Sequence, residues 1–333
     1  MKVALVTGSY PPDVCGVGDY SRGLVMAMQG LDIDVNVISG ADWGVVDVGS
    51  ITKRIDLVKP DVIHIQYPTV GYGWGLAPQA LSLVRPGVVT LHEVSQSNLL
   101  RRISLYSFLR SKHVVFTSFF ERNYALRFAP WILTRSSVIP IGNNIPVGAR
   151  VKDSELAEIV YFGLIHPKRG IEHVLTLARL IKEAGLSYQV RVIGMPDPRW
   201  TSYFEKVRLY SVDLPVRWEI GLSDLTVAEL LARSRIAYVP FPDGASERRG
   251  SLLALLANGV VTITTLGPHT PRELYGAVEF AQSPKQALQI LQNLAADSNR
   301  QRRLSAKARA YASRFTWDAI ATEHIALYER TLL

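Results

Sequence analysis

Short apolar runs rich in β-branched residues alternate with stretches of helical periodicity along nearly the whole chain. VALVT (3–7), VNVIS (35–39), DVIHIQ (61–66), VVTLH (88–92), HVVFTS (113–118) and SVIPIG (137–142) predict strands. Helical patterns fall between most of them, such as SRGLVMAMQG (21–30) and NLLRRISLYSFLR (98–110). Unbroken apolar runs like VALVT suit strands buried on both faces, as in parallel sheets. Alternation of this kind implies βαβ units.

PVGARVKDSE (146–155) interrupts the pattern with Pro, Gly and charge and reads as an interdomain linker. A second series follows: EIVYFG (158–163), YQVRVIG (188–194), VRWEIG (216–221), IAYVPF (236–241) and VVTITT (260–265). GIEHVLTLARLIKEAG (170–185) predicts a helix closed by Gly185, and from about residue 284 onward the chain is nearly all helical. The expected architecture is α/β, with two doubly wound, Rossmann-like domains in tandem, residues 1–148 and 149–316. Such sheets bind ligands beyond the carboxyl ends of their strands, at a topological switch point. Two of them are expected to face one another across a cleft, so polar residues just after strands are the candidates.

A chain of 333 residues is long for one core, which agrees with two domains. No apolar run reaches the ~18 residues of a membrane span, and the stretch before Gly8 and Pro11 is short for a secretory signal. Cys15 is the only cysteine, which excludes an internal disulfide framework and makes a reducing cytoplasm the expected compartment. An excess of 37 basic over 29 acidic residues suits an anionic partner without choosing one. No His or carboxylate spacing signals a metal site. The basic residues are scattered and form no nucleic-acid motif.

After the first strand comes GSYPPDVCGVGDYS (8–21), where Gly16 and Gly18 permit close backbone approach and Asp19 or Ser21 is placed to cap a helix. The loop lacks both the dinucleotide G-x-G-x-x-G and a Walker A Gly-Lys-Ser/Thr, so it reads equally as a phosphate loop or a tight turn. His64 and Gln66 fall near the end of the third strand, and His92 and Glu93 end the fourth. His92 is the cleft candidate of the two histidines; His64 reads more simply as a satisfied core residue. In the second half, Lys168 and Arg169 precede one helix and Arg248 and Arg249 another. Cations at a helix N-terminus make sense when an anion docks there. Two such pairs at corresponding turns of one sheet fit a diphosphate, for which Arg supplies a fork and Lys a point charge.

These stretches together resemble the GT-B glycosyltransferases, specifically the large retaining family four. The carriers are GSYPPDVCGVGDYS, VVTLHE, VIPIGNN, VYFGLIHPKRGIEHVL, VPFPDGASERRGSLLALLANGVVTITT and FTWDAIATEHIALYE, in that order along essentially the whole chain. The resemblance implies a final helix (about 317–333) that crosses back onto the first domain. It implies that His92 approaches the transferred sugar and that Gly16, with Val17 and Gly18, lies beside the diphosphate. Arg169 matches the family's phosphate-binding Lys. Glu247 matches the first glutamate of a Glu-x7-Glu pair that contacts sugar hydroxyls, and the amides of Ser251 and Leu252 complete a cradle. His92, Glu247, Arg169 and Arg249 are thereby the implied catalytic set. Gly163, Lys168, Gly194, Gly221, Leu222, Asp243, Gly244, Ser246, Arg248 and Gly250 join the donor-binding set. Which of Arg248 and Arg249 points inward is left open.

Two positions depart from the family. Its Arg after the glycine of the second domain's first strand is Leu164 here, and the second glutamate is replaced by Leu255, or by Ala254 if one residue is deleted. The implied activity is metal-independent, retaining transfer of a hexosyl group from a nucleoside diphosphate sugar, UDP-glucose or a related UDP-hexose first. The acceptor would be a hydroxyl of a saccharide or lipid-linked saccharide, with no other cofactor. A non-catalytic sugar-nucleotide binder and a GT-B UDP-sugar epimerase are the alternatives. Residues 94–120 carry no acid but hold Arg101, Arg102, Arg110 and Lys112 beside Leu99, Leu100, Ile103, Tyr106 and Leu109, a pattern for peripheral contact with an anionic membrane. A helix packed on its own sheet accounts for it equally well.

Overall fold

From Val3 to Val6 no side chain of β1 (Lys2–Val6) reaches solvent, so this strand is covered on both faces. It lies inside a parallel sheet with β2 (Asp34–Ile38), β3 (Val62–Tyr67), β4 (Val88–Leu91), β5 (His113–Phe116) and β6 (Ser136–Val138), in the order β2-β1-β3-β4-β5-β6. Helices α1 (Gly16–Gly30), α2 (Val48–Val58), α3 (Ala77–Val84) and α4 (Phe119–Leu126) connect these strands. The strand order reverses between β1 and β3, which is the switch point of this sheet. The computed structural model describes residues 1–13, 15–95, 105–149 and 158–332.

The second sheet runs β12-β11-β10-β7-β8-β9, again parallel throughout. Its strands are β7 (Glu158–Phe162), β8 (Gln189–Gly194), β9 (Val216–Ile220), β10 (Ile236–Val239), β11 (Val261–Thr264) and β12 (Glu279–Phe280). Helices α5 (Ile171–Glu183), α6 (Thr201–Tyr210), α7 (Asp224–Arg233), α8 (Gly250–Ala257), α9 (Pro284–Ala296) and α10 (Ser298–Ala312) accompany it. Here the order reverses between β7 and β10. Helix α5 buries Ile171, Val174, Leu175, Ala178 and Ile181, the stripe its sequence period predicts. In α8 every residue from Leu252 to Leu256 is buried, because this helix is apolar all round.

Contacts divide the chain into one unit of Met1–Gly142 with Phe315–Leu333 and another of Asn143–Arg314. The last helix, α11 (Trp317–Leu332), thus belongs to the first unit. It buries Ile320, Ala321, His324, Leu327 and Tyr328, spaced to share one helix face, against a core that includes Tyr20, Leu24 and Met28 of α1. A Cβ on Gly23 would come within 2.5 Å of the Trp317 ring, so a glycine is what lets the two helices meet there.

Three expectations change. Helix α1 begins at Gly16, so Asp19 and Ser21 lie within it; Cys15 occupies the N-cap, and Ser21 Oγ donates back to the Val17 carbonyl at 2.7 Å. Residues 105–110 form a 3-10 helix where an α-helix was expected. The two-residue strand β12 was not foreseen, being too short to show a period. Residues 98–104 of the expected helix, most of the basic–apolar segment's named residues, and 150–155 of the linker lie outside the described residues.

Candidate functional site

The loops that follow β7 and β10 leave the second sheet on either side of its switch point. Close approach fixes them to each other. Gly170, at φ +77° before α5, has the Pro240 carbonyl where a Cβ would sit, 1.9 Å away. Gly244, at φ +89°, meets the backbone of Gly267 in the same way at 2.4 Å. A row of glycines ends the neighbouring strands. Gly163 N donates to the Ile193 carbonyl (3.1 Å), Gly221 N to the Gly194 carbonyl (3.2 Å), and a Cβ on Gly194 would lie 2.0 Å from the Gly163 carbonyl oxygen. Without side chains there, the strand ends crowd together and leave backbone facing outward.

Above these strand ends lies a cavity of about 440 Å³ lined by Leu164, His166, Lys168, Arg169, Asp197, Arg199, Pro242, Asp243 and Arg249. Four cations face two carboxylates. Arg249 bonds to Asp243 and lies with its guanidinium carbon 5.0 Å from the Phe241 ring centre. Burial pushes the Arg249 guanidinium below its usual range, Asp243 opposes this, and the charges of Arg169 and Arg248 add to it. Half-buried like-charged arginines are a ready site for an anion. Asp197, itself buried, accepts from Arg199 Nε (3.0 Å) and Nη2 (2.7 Å), and these bonds hold its carboxyl down to about 2. His166 Nδ1 accepts from Lys168 N at 3.0 Å, which puts the proton of the neutral ring on Nε2.

Helix α8 starts directly after Arg249, with no capping side chain and no acid in its first turn. Its first N–H groups therefore lack the partners that Ser and Asp supply at other helix starts. Gly163 lies beside this start: a Cβ there would stand 3.5 Å from Ser251 Oγ. Leu252 has a wholly buried side chain and offers only its amide. Of the two arginines left open above, Arg249 lines the cavity. Arg248 is half-buried outside the lining; buried Gly244 and Ser246, half-buried Leu222 and exposed Gly250, the first residue of α8, also lie outside it.

Glu247 turns elsewhere. Its carboxylate accepts from Tyr311 Oη of α10 (3.4 Å) and lies 3.8 Å from Arg314, and burial pushes its pKa up against the pull of Arg314. His166, Asp197 and Arg199 were missed in the sequence. The signal for Asp197 and Arg199 was present, since MPDPRW (195–200) directly follows β8, as HPKR (166–169) follows β7 for His166.

In the first unit, Gly16, Val17 and Gly18 form the opening turn of α1, where Gly18 packs so close that a Cβ would be 3.2 Å from the Ser9 carbonyl oxygen. His92 follows β4 and is 8% exposed. Its Nε2 lies 2.9 Å from Gln66 Oε1, its ring meets Tyr20 edge-on at 4.7 Å, and burial pushes its pKa down to about 3. It is neutral at physiological pH. Among the described residues, no three His, Cys, Asp or Glu side chains are grouped to hold a metal ion, and no helix is long and apolar enough to cross a membrane.

Neither protein-family profiles nor curated proteins match this sequence. Solved structures do match over nearly the whole chain. A glycosyltransferase from Rickettsia africae has 14% identity and a TM-score of 0.76, covering 99% of this chain and 98% of its own. Sucrose-phosphate synthase from Thermosynechococcus elongatus has 17% identity and a TM-score of 0.69, with 99% and 98% covered. HepE from Anabaena, solved in complex with UDP-glucose, has 14% identity and a TM-score of 0.67, with 99% and 100% covered. The chain therefore has the two-sheet α/β fold of the GT-B glycosyltransferases. At these identities the likeness is one of fold.

Proposed function

We propose that this protein is a retaining glycosyltransferase that moves a hexosyl group from a UDP-hexose, UDP-glucose first, to a hydroxyl of a saccharide or lipid-linked saccharide. The observation that carries the reading is the cavity at the β7/β10 switch point, where Lys168, Arg169, Arg199 and Arg249 gather beside the uncapped start of α8. A diphosphate is the anion that such an array and a helix N-terminus hold best. The UDP assignment leans on HepE, a structural neighbour solved with UDP-glucose.

In this reading the bond from the anomeric carbon to the diphosphate oxygen breaks and one to the acceptor oxygen forms. The acceptor's proton passes to the departing phosphate, so the products are a glycoside and the nucleoside diphosphate. Negative charge grows on the leaving oxygen. Arg169, Arg249, Lys168 and the Ser251 and Leu252 amides are fixed donors for it, and loss of one such donor costs ~3 kcal/mol in comparable sites. With these cations present the diphosphate needs no metal and no other cofactor. His92 and Glu247 are assigned to the sugar, and Gly16 to the diphosphate, on the family resemblance. The compartment proposed is the cytoplasm, with peripheral contact to an anionic membrane.

Calorimetry with a panel of nucleoside diphosphates and their sugars in chelator, followed by product analysis, tests the proposal. It fails if no member of the panel binds. One observation favours a second reading, a non-catalytic sugar-nucleotide binder: Ala254 and Leu255, where the family carries its second glutamate, are wholly buried and apolar. Turnover of any bound donor excludes that reading.

A further inference from the structure

One face of the first sheet changes character along its strands. Val3 and Leu5 of β1, Val62 of β3, Val88 of β4 and Val115 of β5 pack with α1 and α11 in an apolar core. Two and four residues further on, the same face carries Thr7, His64, Gln66, Thr90, His92 and Thr117, all buried. In register, Gln66 stands opposite Thr90 across the β3–β4 pair.

These side chains form a continuous chain of contacts. Tyr328 Oη of α11 lies 2.6 Å from His64 Nδ1. His64 Nε2 lies 2.7 Å from Thr90 Oγ1 and 3.3 Å from Gln66 Nε2. The other end of the same amide, Gln66 Oε1, is 2.9 Å from His92 Nε2. An amide nitrogen only donates and an amide oxygen only accepts. His64 Nε2 is therefore an acceptor and His64 Nδ1 carries its proton, donated to Tyr328. His92 Nε2 must carry a proton to give Gln66. His92 Nδ1 is then a bare lone pair, with no hydrogen-bond partner among the described residues.

We propose that Gln66 is a positioning residue that fixes His92 in the Nε2–H tautomer, with His64 orienting the amide and Tyr328 of the last helix orienting His64. The outcome is a neutral imidazole whose Nδ1 is presented as an acceptor at the carboxyl end of β4. Its functional meaning rests on the proposed sugar-transfer reading, in which His92 meets the sugar; an Nδ1 acceptor selects a sugar hydroxyl as its donor.

The test begins with the ligand-free protein. Long-range ¹H–¹⁵N spectra of histidine-labelled protein are expected to show His92 with a protonated Nε2 and an unprotonated Nδ1. The opposite assignment, which a reversed Gln66 amide would produce, overturns the proposal and needs no variant. The second arm is Gln66→Glu, nearly isosteric but charged, whose carboxylate still accepts from Nε2–H. It is expected to raise the His92 midpoint by at least about one pH unit, since an opposite charge within hydrogen-bond reach favours the imidazolium. The titratable groups beside His92 are Tyr20 of α1, His64 of β3 and His324 of α11, with Glu323 acting on Tyr20, and none of them is substituted in this variant. A His92 midpoint that does not move overturns the proposal. UDP affinity is measured in parallel: it stays at the wild-type value while turnover falls about tenfold. Absence of UDP binding in the wild type would instead strike the sugar-transfer reading and leave the tautomer result standing.

Discussion

Glu247 and Arg249 stand two residues apart in one loop and serve different neighbours. Arg249 bonds Asp243 and lines the cationic cavity, whereas Glu247 reaches Tyr311 and Arg314 at the end of α10. Substitutions at the two positions should therefore separate. Arg249→Ala, and Arg169→Ala with it, are expected to weaken binding of bare UDP by about 10- to 150-fold, the loss of a charge-assisted bond of ~1.5–3 kcal/mol. Glu247→Gln should leave UDP affinity within about twofold and lower turnover. Calorimetry with UDP reads the difference directly, and the reverse pattern would misplace the donor.

Donor binding should persist in chelator and fall as salt rises, because protein cations neutralise the diphosphate and salt screens them. Collapse in chelator with recovery on magnesium or manganese would show that the cavity's four cations do not suffice.

Gly170→Ala is expected to destabilise the second unit by about 2 kcal/mol or more, because a left-handed φ and the Pro240 carbonyl both oppose a Cβ. A fall of roughly 4–8 °C in its melting temperature is the readout. Gly185→Ala shares the left-handed φ, yet no atom lies near its Cβ, so it should cost less. Equal losses would remove the Pro240 contact from the account.

Acid should destabilise the first unit. Burial pushes His92 and His324 down to about 3 and His64 well below 6.5, so all three are neutral in the fold. The unfolded chain takes up protons below about 6.5 and the folded one does not. Stability is full above that pH and is lost as pH falls toward 3, by about 1.4 kcal/mol per unit for each histidine. Urea titrations near pH 7.5 and about pH 5.5 should differ accordingly. Indistinguishable midpoints would mean that these rings are not neutral in the fold.

Membrane contact is tested by co-sedimentation with vesicles. Tyr106, Arg110 and Lys112 are exposed, and each basic residue near an anionic leaflet contributes ~1 kcal/mol. Binding to anionic vesicles well above neutral ones is expected, and equal sedimentation with both retires the idea.

Much of the architecture was legible because buried parallel strands carry unbroken apolar runs, and all but the shortest strand were foreseen. What escaped was whatever depends on contact between distant segments. The unbroken apolar run of α8 conveyed burial but not which of Arg248 and Arg249 would face the cavity. MPDPRW follows a strand as plainly as HPKR does, yet Asp197 draws its meaning from the Arg199 fork and from sharing a cavity with Arg249. His64 read as a core residue, and it is buried. Its link to His92 through Gln66 required the register of β3 on β4, which no single-strand pattern encodes.

The return of α11 to the first unit bears on how the chain is made. Tyr328 and His324, which partner His64 and Tyr20, are synthesised only after the whole of the Asn143–Arg314 unit. On the ribosome the usual N-terminal-first sequence of domain folding cannot run to completion here. The first sheet must wait with part of one apolar face, the part that α1 does not cover, and several polar groups uncovered while the second unit forms. The unit begun first is thus the last to be sealed, and the interval exposes it to chaperones and proteases.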